Sequence, residues 1–168
     1  MSFTLGFTHG SHRSTPPPCS AELGKRALNR RCKRTVGAVA IDKDGNLAAA
    51  TTTGGMTAKA AGRVGDSPLI GAATYAENGV CAVSATGHGE YFIRVGVAKT
   101  ICDRVKLAGE TIEQASETAL GEVAELGGDG GVIVIGADGT FAFVFNSEGM
   151  YRGVVDPSGA RTAIYGDD

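Results

Sequence analysis

The sequence predicts an α+β fold with its β-sheets stacked in layers, and three observations carry that prediction. Strand-like and helix-like segments are grouped along the chain rather than strictly alternating. Two hairpins have apolar residues on both faces, a pattern that requires cover on both sides. Apolar residues make up 42% and charged residues 20% of 168, the proportions of a globular domain or subunit.

The first hairpin runs from Thr35 to Thr53. Thr35-Val36-Gly37-Ala38-Val39-Ala40-Ile41-Asp42 reads as a strand, Lys43-Asp44-Gly45-Asn46 as a turn, and Leu47 to Thr53 as the returning strand. Gly54-Gly55 ends it. Residues 56–71 read as a loop carrying Arg63 and Asp66. A strand follows over about Gly79 to Ala85 and runs into Thr86-Gly87-His88-Gly89. A helix is expected over Glu90 to Leu107, with Phe92, Val95, Ile101 and Val105 facing inward. Thr111-Ile112-Glu113-Gln114 has capping-box spacing, so a second helix should start there and reach about Leu126. The glycines of residues 127–131 break it. Val132 to Ile135, the turn Ala137-Asp138-Gly139 and Thr140 to Phe145 form the second hairpin.

Composition breaks at Thr35. Residues 1–34 carry a net charge of +6 and residues 35–168 carry −8, within a chain total of −2. The Ser-Thr-Pro-Pro-Pro-Cys-Ser run forbids regular structure. A short helix over Ala21 to Arg31 would have little apolar face, and few aliphatics with high charge favour disorder. We therefore divide the chain into a basic, disordered extension, 1–34, and a structured domain, 35–168. A basic arm can bind nucleic acid. Here it lacks interleaved aromatics, so no nucleic-acid partner is expected. No apolar run is long enough to span a membrane. Met1 to Arg13 lacks a continuous apolar secretory segment, so a cytoplasmic location is expected. Cys19, Cys32, Cys81 and Cys102 form no C-x-x-C pair and no metal-ligand spacing, and four reduced thiols are expected. His9 and His12 have no further ligands nearby and read as solvated loop residues. No metal and no cofactor are expected.

Hydroxyl residues cluster at the open end of the first hairpin. Thr35 opens one strand, Thr51, Thr52 and Thr53 close the other, and antiparallel pairing brings these ends together. Threonine is a good strand residue, which would explain one or two of them. It does not explain Arg63 and Asp66 three residues apart in a Gly-flanked loop, nor the glycine-bracketed Thr86-Gly87-His88-Gly89. A guanidinium forks onto a carboxylate, an aspartate takes an ammonium, and hydroxyl and backbone N–H groups beside glycine stabilise an oxyanion. The set suits recognition of a small zwitterion.

The strings TVGAVAIDKDGNLAAATTTGG, GRVGDSP, ATGHGE and FNSEGMYRG resemble the plant-type asparaginase/isoaspartyl peptidase family of Thr-dependent N-terminal-nucleophile hydrolases. The resemblance covers residues 35 to about 165. It implies the β-subunit half of a four-layer αββα sandwich, formed when a precursor cleaves itself before Thr35. It implies Thr35 as nucleophile with its own α-amine as base, Thr53 polarising the Thr35 hydroxyl, Arg63 on the substrate α-carboxylate and Asp66 on the α-ammonium. It makes Thr86 with Gly87 the oxyanion and amine site, with Gly89 in the same loop. The implied substrates are L-asparagine and β-aspartyl dipeptides, and the implied assembly is of (αβ)2 type. Two departures stand out. The family has glycine before the nucleophile, where this chain has Arg34. The family also has an N-terminal α-half of comparable length, which residues 1–34 do not resemble. Two expectations follow: an amidohydrolase working through a Thr35 ester, or an inactive remnant lacking its α-half.

Overall fold

The structure, a computed structural model, describes residues 3–8, 35–56 and 58–165. In chain order its elements are β1 (Phe3–Thr8), β2 (Thr35–Ile41), β3 (Leu47–Thr53), β4 (Thr74–Glu77), β5 (Cys81–Gly87), α1 (Gly89–Val95), α2 (Val97–Asp103), α3 (Ile112–Glu125), β6 (Gly130–Gly136), β7 (Phe141–Phe145), β8 (Tyr151–Asp156) and β9 (Gly159–Ala163). The strands form a five-stranded sheet of order β3-β2-β1-β8-β9 and a four-stranded sheet of order β4-β5-β6-β7. Every neighbouring pair is antiparallel.

Strand periodicity sorts the apolar residues into two cores. Ala82, Ile133 and Ile135 from one face of the four-stranded sheet meet Val39, Ile41, Leu47 and Val154 from the five-stranded sheet, with Met150 among them. The alternate residues Cys81, Val83, Ala85, Val132 and Val134 meet Phe92, Val97, Ile101, Ala115, Ala119 and Val123 of the helices. The four-stranded sheet is therefore covered on both faces, which accounts for the continuously apolar Val132 to Ile135. The layer order is helices, four-stranded sheet, five-stranded sheet.

The far face of the five-stranded sheet has no covering element among the described residues. Val36 is 48% and Val155 51% exposed there, and Ala48 and Ala50 are exposed too. The first hairpin was expected to be buried on both faces. Among the described residues one of its faces is uncovered, so the coarse reading, a sheet-rich α+β fold, is what the structure carries.

Several expectations change in detail. The single helix over 90–107 is broken at Gly96, whose φ of +64 is left-handed and ends α1. α2 then passes into a π-helical turn, Arg104–Ala108. The capping box forms as expected: the Gln114 N–H donates to Thr111 Oγ1 and the Thr111 N–H to Gln114 Oε1, both at 3.2 Å. Strands β4, β8 and β9 were not anticipated. Neither was β1. Phe3–Thr8 lies between β2 and β8, with Phe3, Leu5 and Phe7 in register with Ile41, Val39 and Gly37. That part of the 1–34 extension is strand, paired antiparallel with β2 on one side and β8 on the other. The Ala21–Arg31 helix considered from the sequence lies outside the described residues, as do Cys19, Cys32, His9 and His12.

Cys81 and Cys102 correct the expectation of reduced thiols. Packing of α2 on β5 brings their Cα atoms to 5.6 Å, and the two are disulfide-bonded. Their separation of 21 residues matches no sequence motif, so only the packing reveals the pair. No helix among the described residues is long and apolar enough to cross a membrane.

Candidate functional site

Register builds the site first. β2 and β3 pair so that Thr35 lies opposite Thr53, and the Thr35 hydroxyl donates to Thr53 Oγ1 at 3.3 Å. The Gly55 N–H also donates to Thr53 Oγ1, at 2.9 Å, so Thr53 is held from both sides. Thr35 is 8% exposed. Behind it, a hydroxyl chain joins the two sheets. Thr74 Oγ1 donates to Thr51 Oγ1 at 2.5 Å, Thr51 Oγ1 lies 2.5 Å from Ser84 Oγ, and Ser84 donates to the Ala50 carbonyl at 3.2 Å. A buried polar chain satisfied in this way fixes how β3 sits on β4 and β5.

The loop after β3 closes the site. Thr35, Thr53, Arg63, Asp66 and Gly87 line one cleft of about 300 Å³. Asp66 is 8% exposed. Burial raises its pKa above the ordinary carboxylate range, while its own and the Ser67 backbone N–H groups and the Arg63 charge pull the other way. A cleft that holds a carboxylate against desolvation favours a cationic partner, because an ammonium would restore the charged form.

Thr86 and Gly89 stand one step back from the cleft wall. Thr86 is 1% exposed, and its hydroxyl is the one buried side-chain polar atom among the described residues with no hydrogen-bond partner. An orphaned buried hydroxyl is costly unless something occupies its hydrogen-bonding capacity. A Cβ on Gly89 would come within 2.9 Å of Asp66 Oδ1, so the absence of a side chain there lets Asp66 close in. Gly87 and Gly130 pair across β5 and β6. A Cβ on Gly130 would sit 2.2 Å from the Thr86 carbonyl oxygen, and one on Gly87 would sit 2.5 Å from the Asp129 carbonyl oxygen. Glycine is required at both positions for this close backbone approach. His88 Nδ1 lies 2.6 Å from Asp129 Oδ1, which fastens the same loop to the start of β6.

The family model described as asparaginase matches residues 9–164. The chain belongs to the asparaginase family. The match starts inside the segment that the sequence reading set apart as unrelated. Relatives of this asparaginase-family chain include an isoaspartyl peptidase of Escherichia coli (strain K12), 56% identical over 119 residues, which are 70% of this chain and 37% of that protein. A plant-type L-asparaginase of Pyrobaculum calidifontis is 48% identical over 132 residues, 77% of this chain and 44% of the relative. An isoaspartyl peptidase/L-asparaginase of Mus musculus is 45% identical over 133 residues, 77% and 40% respectively. The chain thus spans less than half the length of these relatives.

One cleft residue of this family member was missed in the sequence reading. Lys59 also lines the cleft, and its ammonium donates to the Gly54 carbonyl at 2.5 Å. A cation in the same Gly-flanked loop as Arg63 was the available signal. Among the described residues no group of three or more His, Cys, Asp or Glu could hold a metal ion.

Proposed function

We propose that this chain is the nucleophile-bearing part of a Thr-dependent amidohydrolase that releases L-aspartate from L-asparagine or β-aspartyl dipeptides. The observation that carries the proposal is the Thr35–Thr53 hydroxyl pair at 3.3 Å, in one cleft with Arg63 and Asp66. Arg63 takes the substrate α-carboxylate and Asp66 its α-ammonium. The Thr35 hydroxyl, polarised by Thr53, attacks the side-chain amide carbon, and its proton passes to the Thr35 α-amine. That amine titrates near pH 7.7–8.0 when free, roughly at working pH, whereas a peptide nitrogen accepts no proton. Thr86, with Gly87 beside it, stabilises the oxyanion. The C–N bond breaks, the amine leaves with the transferred proton as ammonia or as the dipeptide's second amino acid, and water opens the Thr35 ester.

The mechanism requires cleavage between Arg34 and Thr35. Glycine before a nucleophile permits the unusual backbone that such attack needs, whereas Arg34 carries a Cβ and a long charged side chain. Maturation of the full-length chain should therefore be slow. The open face of the five-stranded sheet supports a fourth layer, a helical one from a complementary α-half, which would complete an αββα sandwich and an (αβ)2 assembly in the cytoplasm. That same open face favours a second reading, in which the chain is inactive on its own.

The test is a chain beginning at Thr35, co-produced with the α-half of a relative and assayed for ammonia from L-asparagine. Turnover is expected, Thr35→Ala should abolish it, and Thr53→Ala should lower it by about 10²-fold or more. Turnover that survives Thr35→Ala would reject the assignment. Turnover by the full-length chain alone would reject the second reading.

A further inference from the structure

The proposed chemistry draws its groups from two different sheets. Thr35 and Thr53 stand on β2 and β3 of the five-stranded sheet, and Thr86 stands on β5 of the four-stranded sheet. A displacement of about 1 Å between reacting groups can cost about 10²-fold in rate, so the two sheets must share one frame. Strand alternation shows which side chains bridge them. On β5, Ala82 packs toward the five-stranded sheet while Cys81, Val83 and Ala85 pack against the helices, so Ser84 and Thr86 share the Ala82 face. On β3, Leu47 and Ala49 pack into the same layer, which puts Thr51 and Thr53 on the facing side. The two strands also run in the same sense. The Leu47 N–H donates to Asn78 Oδ1 at 2.8 Å, just before β5 begins, and further along both strands Thr51 Oγ1 meets Ser84 Oγ at 2.5 Å. The next inward-facing residues are Thr53 on one strand and Thr86 on the other.

The hydroxyl chain behind the site has a single orientation. Ser84 directs its proton to the Ala50 carbonyl, so its oxygen accepts from Thr51, and Thr51 accepts in turn from Thr74. Each hydroxyl has one proton, and all three are used. Apolar contact between sheets is non-directional, whereas this chain is directional and buried, with Ser84 fully so. Thr86 Oγ1 has no hydrogen-bond partner among the described residues, so its place is set by the backbone of β5.

We propose that Thr51 and Ser84 are positioning residues for the hydrolysis, their hydroxyl pair setting the distance between the Thr35–Thr53 pair and the Thr86 hydroxyl. This rests on the proposed function. Neither side chain lines the cleft, so both act through β3 and β5. The substrate is held by Arg63 and Asp66 on the loop after β3. Loss of the tie therefore leaves binding in place and shifts the nucleophile relative to the oxyanion donor, which lowers kcat without raising KM.

The experiment is steady-state kinetics on L-asparagine, with a thermal melt of each variant, for the chain beginning at Thr35 in complex with a relative's α-half. Thr51→Val together with Ser84→Ala removes both paired hydroxyls and leaves neither of them orphaned. In that double variant kcat should fall about 10-fold or more, with KM unchanged and the melting midpoint close to that of the natural complex. Thr51→Ser, which keeps the hydroxyl, should restore kcat. An unchanged kcat in the double variant refutes the inference while the proposed function stands. A fall in kcat that comes with a raised KM and a lowered melting midpoint, in Thr51→Ser as well, makes the chain a structural tie alone and also refutes it. If the double variant does not fold, Thr51→Val alone, at a half-buried position, is read in the same way. If the natural complex gives no turnover, the proposed function falls and this inference with it.

Discussion

At the scale of the residue, Asp66 is a buried carboxyl in the cleft whose burial costs stability once it is charged. Its carboxyl titrates higher in the folded chain than in the unfolded one, with burial as the largest cause. The native state thus holds the proton more tightly, and the stability linked to this group is complete below the unfolded pKa. It is lost as pH rises through the raised folded pKa. Asp66→Asn removes the charge and so should melt higher than the natural chain at about pH 7, with the gap closing toward about pH 4. L-aspartate binding should be lost in the same variant. Thermal melts across that range check the sign; a natural chain more stable than Asp66→Asn at neutral pH would contradict it. That Thr35, Thr53, Arg63 and Asp66 meet in one cleft was legible in the sequence, because a charged pair between glycines and a run of threonines at a hairpin end are unusual. That Lys59 joins them was not, because a lone lysine in a loop is most often solvated.

At the scale of the element, the loop between β5 and α1 depends on backbones that approach more closely than side chains allow. Gly130→Ala would drive a methyl against the Thr86 carbonyl oxygen at 2.2 Å and Gly87 Cα at 2.8 Å. It should cost about 1–3 kcal/mol or more and displace Thr86 and Gly87 together. Gly121→Ala on the exposed side of α3 meets nothing within 4 Å and should stabilise by about 0.5–1 kcal/mol. Urea midpoints of the two variants should move in opposite directions. A shared direction would mean that the β5–β6 contact is looser than described. The long, periodic elements were readable from sequence: both hairpins, the capping box at Thr111 and the glycine break after α3. What escaped was set by distant partners. Phe3–Thr8 is a strand because β2 and β8 lie on either side of it, and a six-residue segment beside a proline run shows nothing of that. Gly96 falls inside the single helix expected over 90–107, yet its left-handed backbone splits that helix in two. The Cys81–Cys102 bridge joins residues that only the packing of α2 on β5 makes neighbours.

At the scale of the whole molecule, one face of the five-stranded sheet is uncovered among the described residues, while both faces of the four-stranded sheet are packed. Val36 and Val155, each about half exposed, head an apolar surface that invites association. The isolated chain should self-associate in sedimentation, and Val36→Lys with Val155→Lys should shift it toward monomer. A monomeric natural chain would count against an uncovered sandwich layer. The proposed chemistry lies at Thr35, next to Val36 in the chain but buried on the opposite face of β2. The measurement that tests it most directly is acid quenching of the complemented chain beginning at Thr35 during turnover of β-aspartyl-glycine, followed by peptide mass mapping. One aspartyl group should be found esterified on the peptide bearing Thr35 and be absent from Thr35→Ala. An aspartyl ester on another residue, or undiminished turnover in Thr35→Ala, would contradict it.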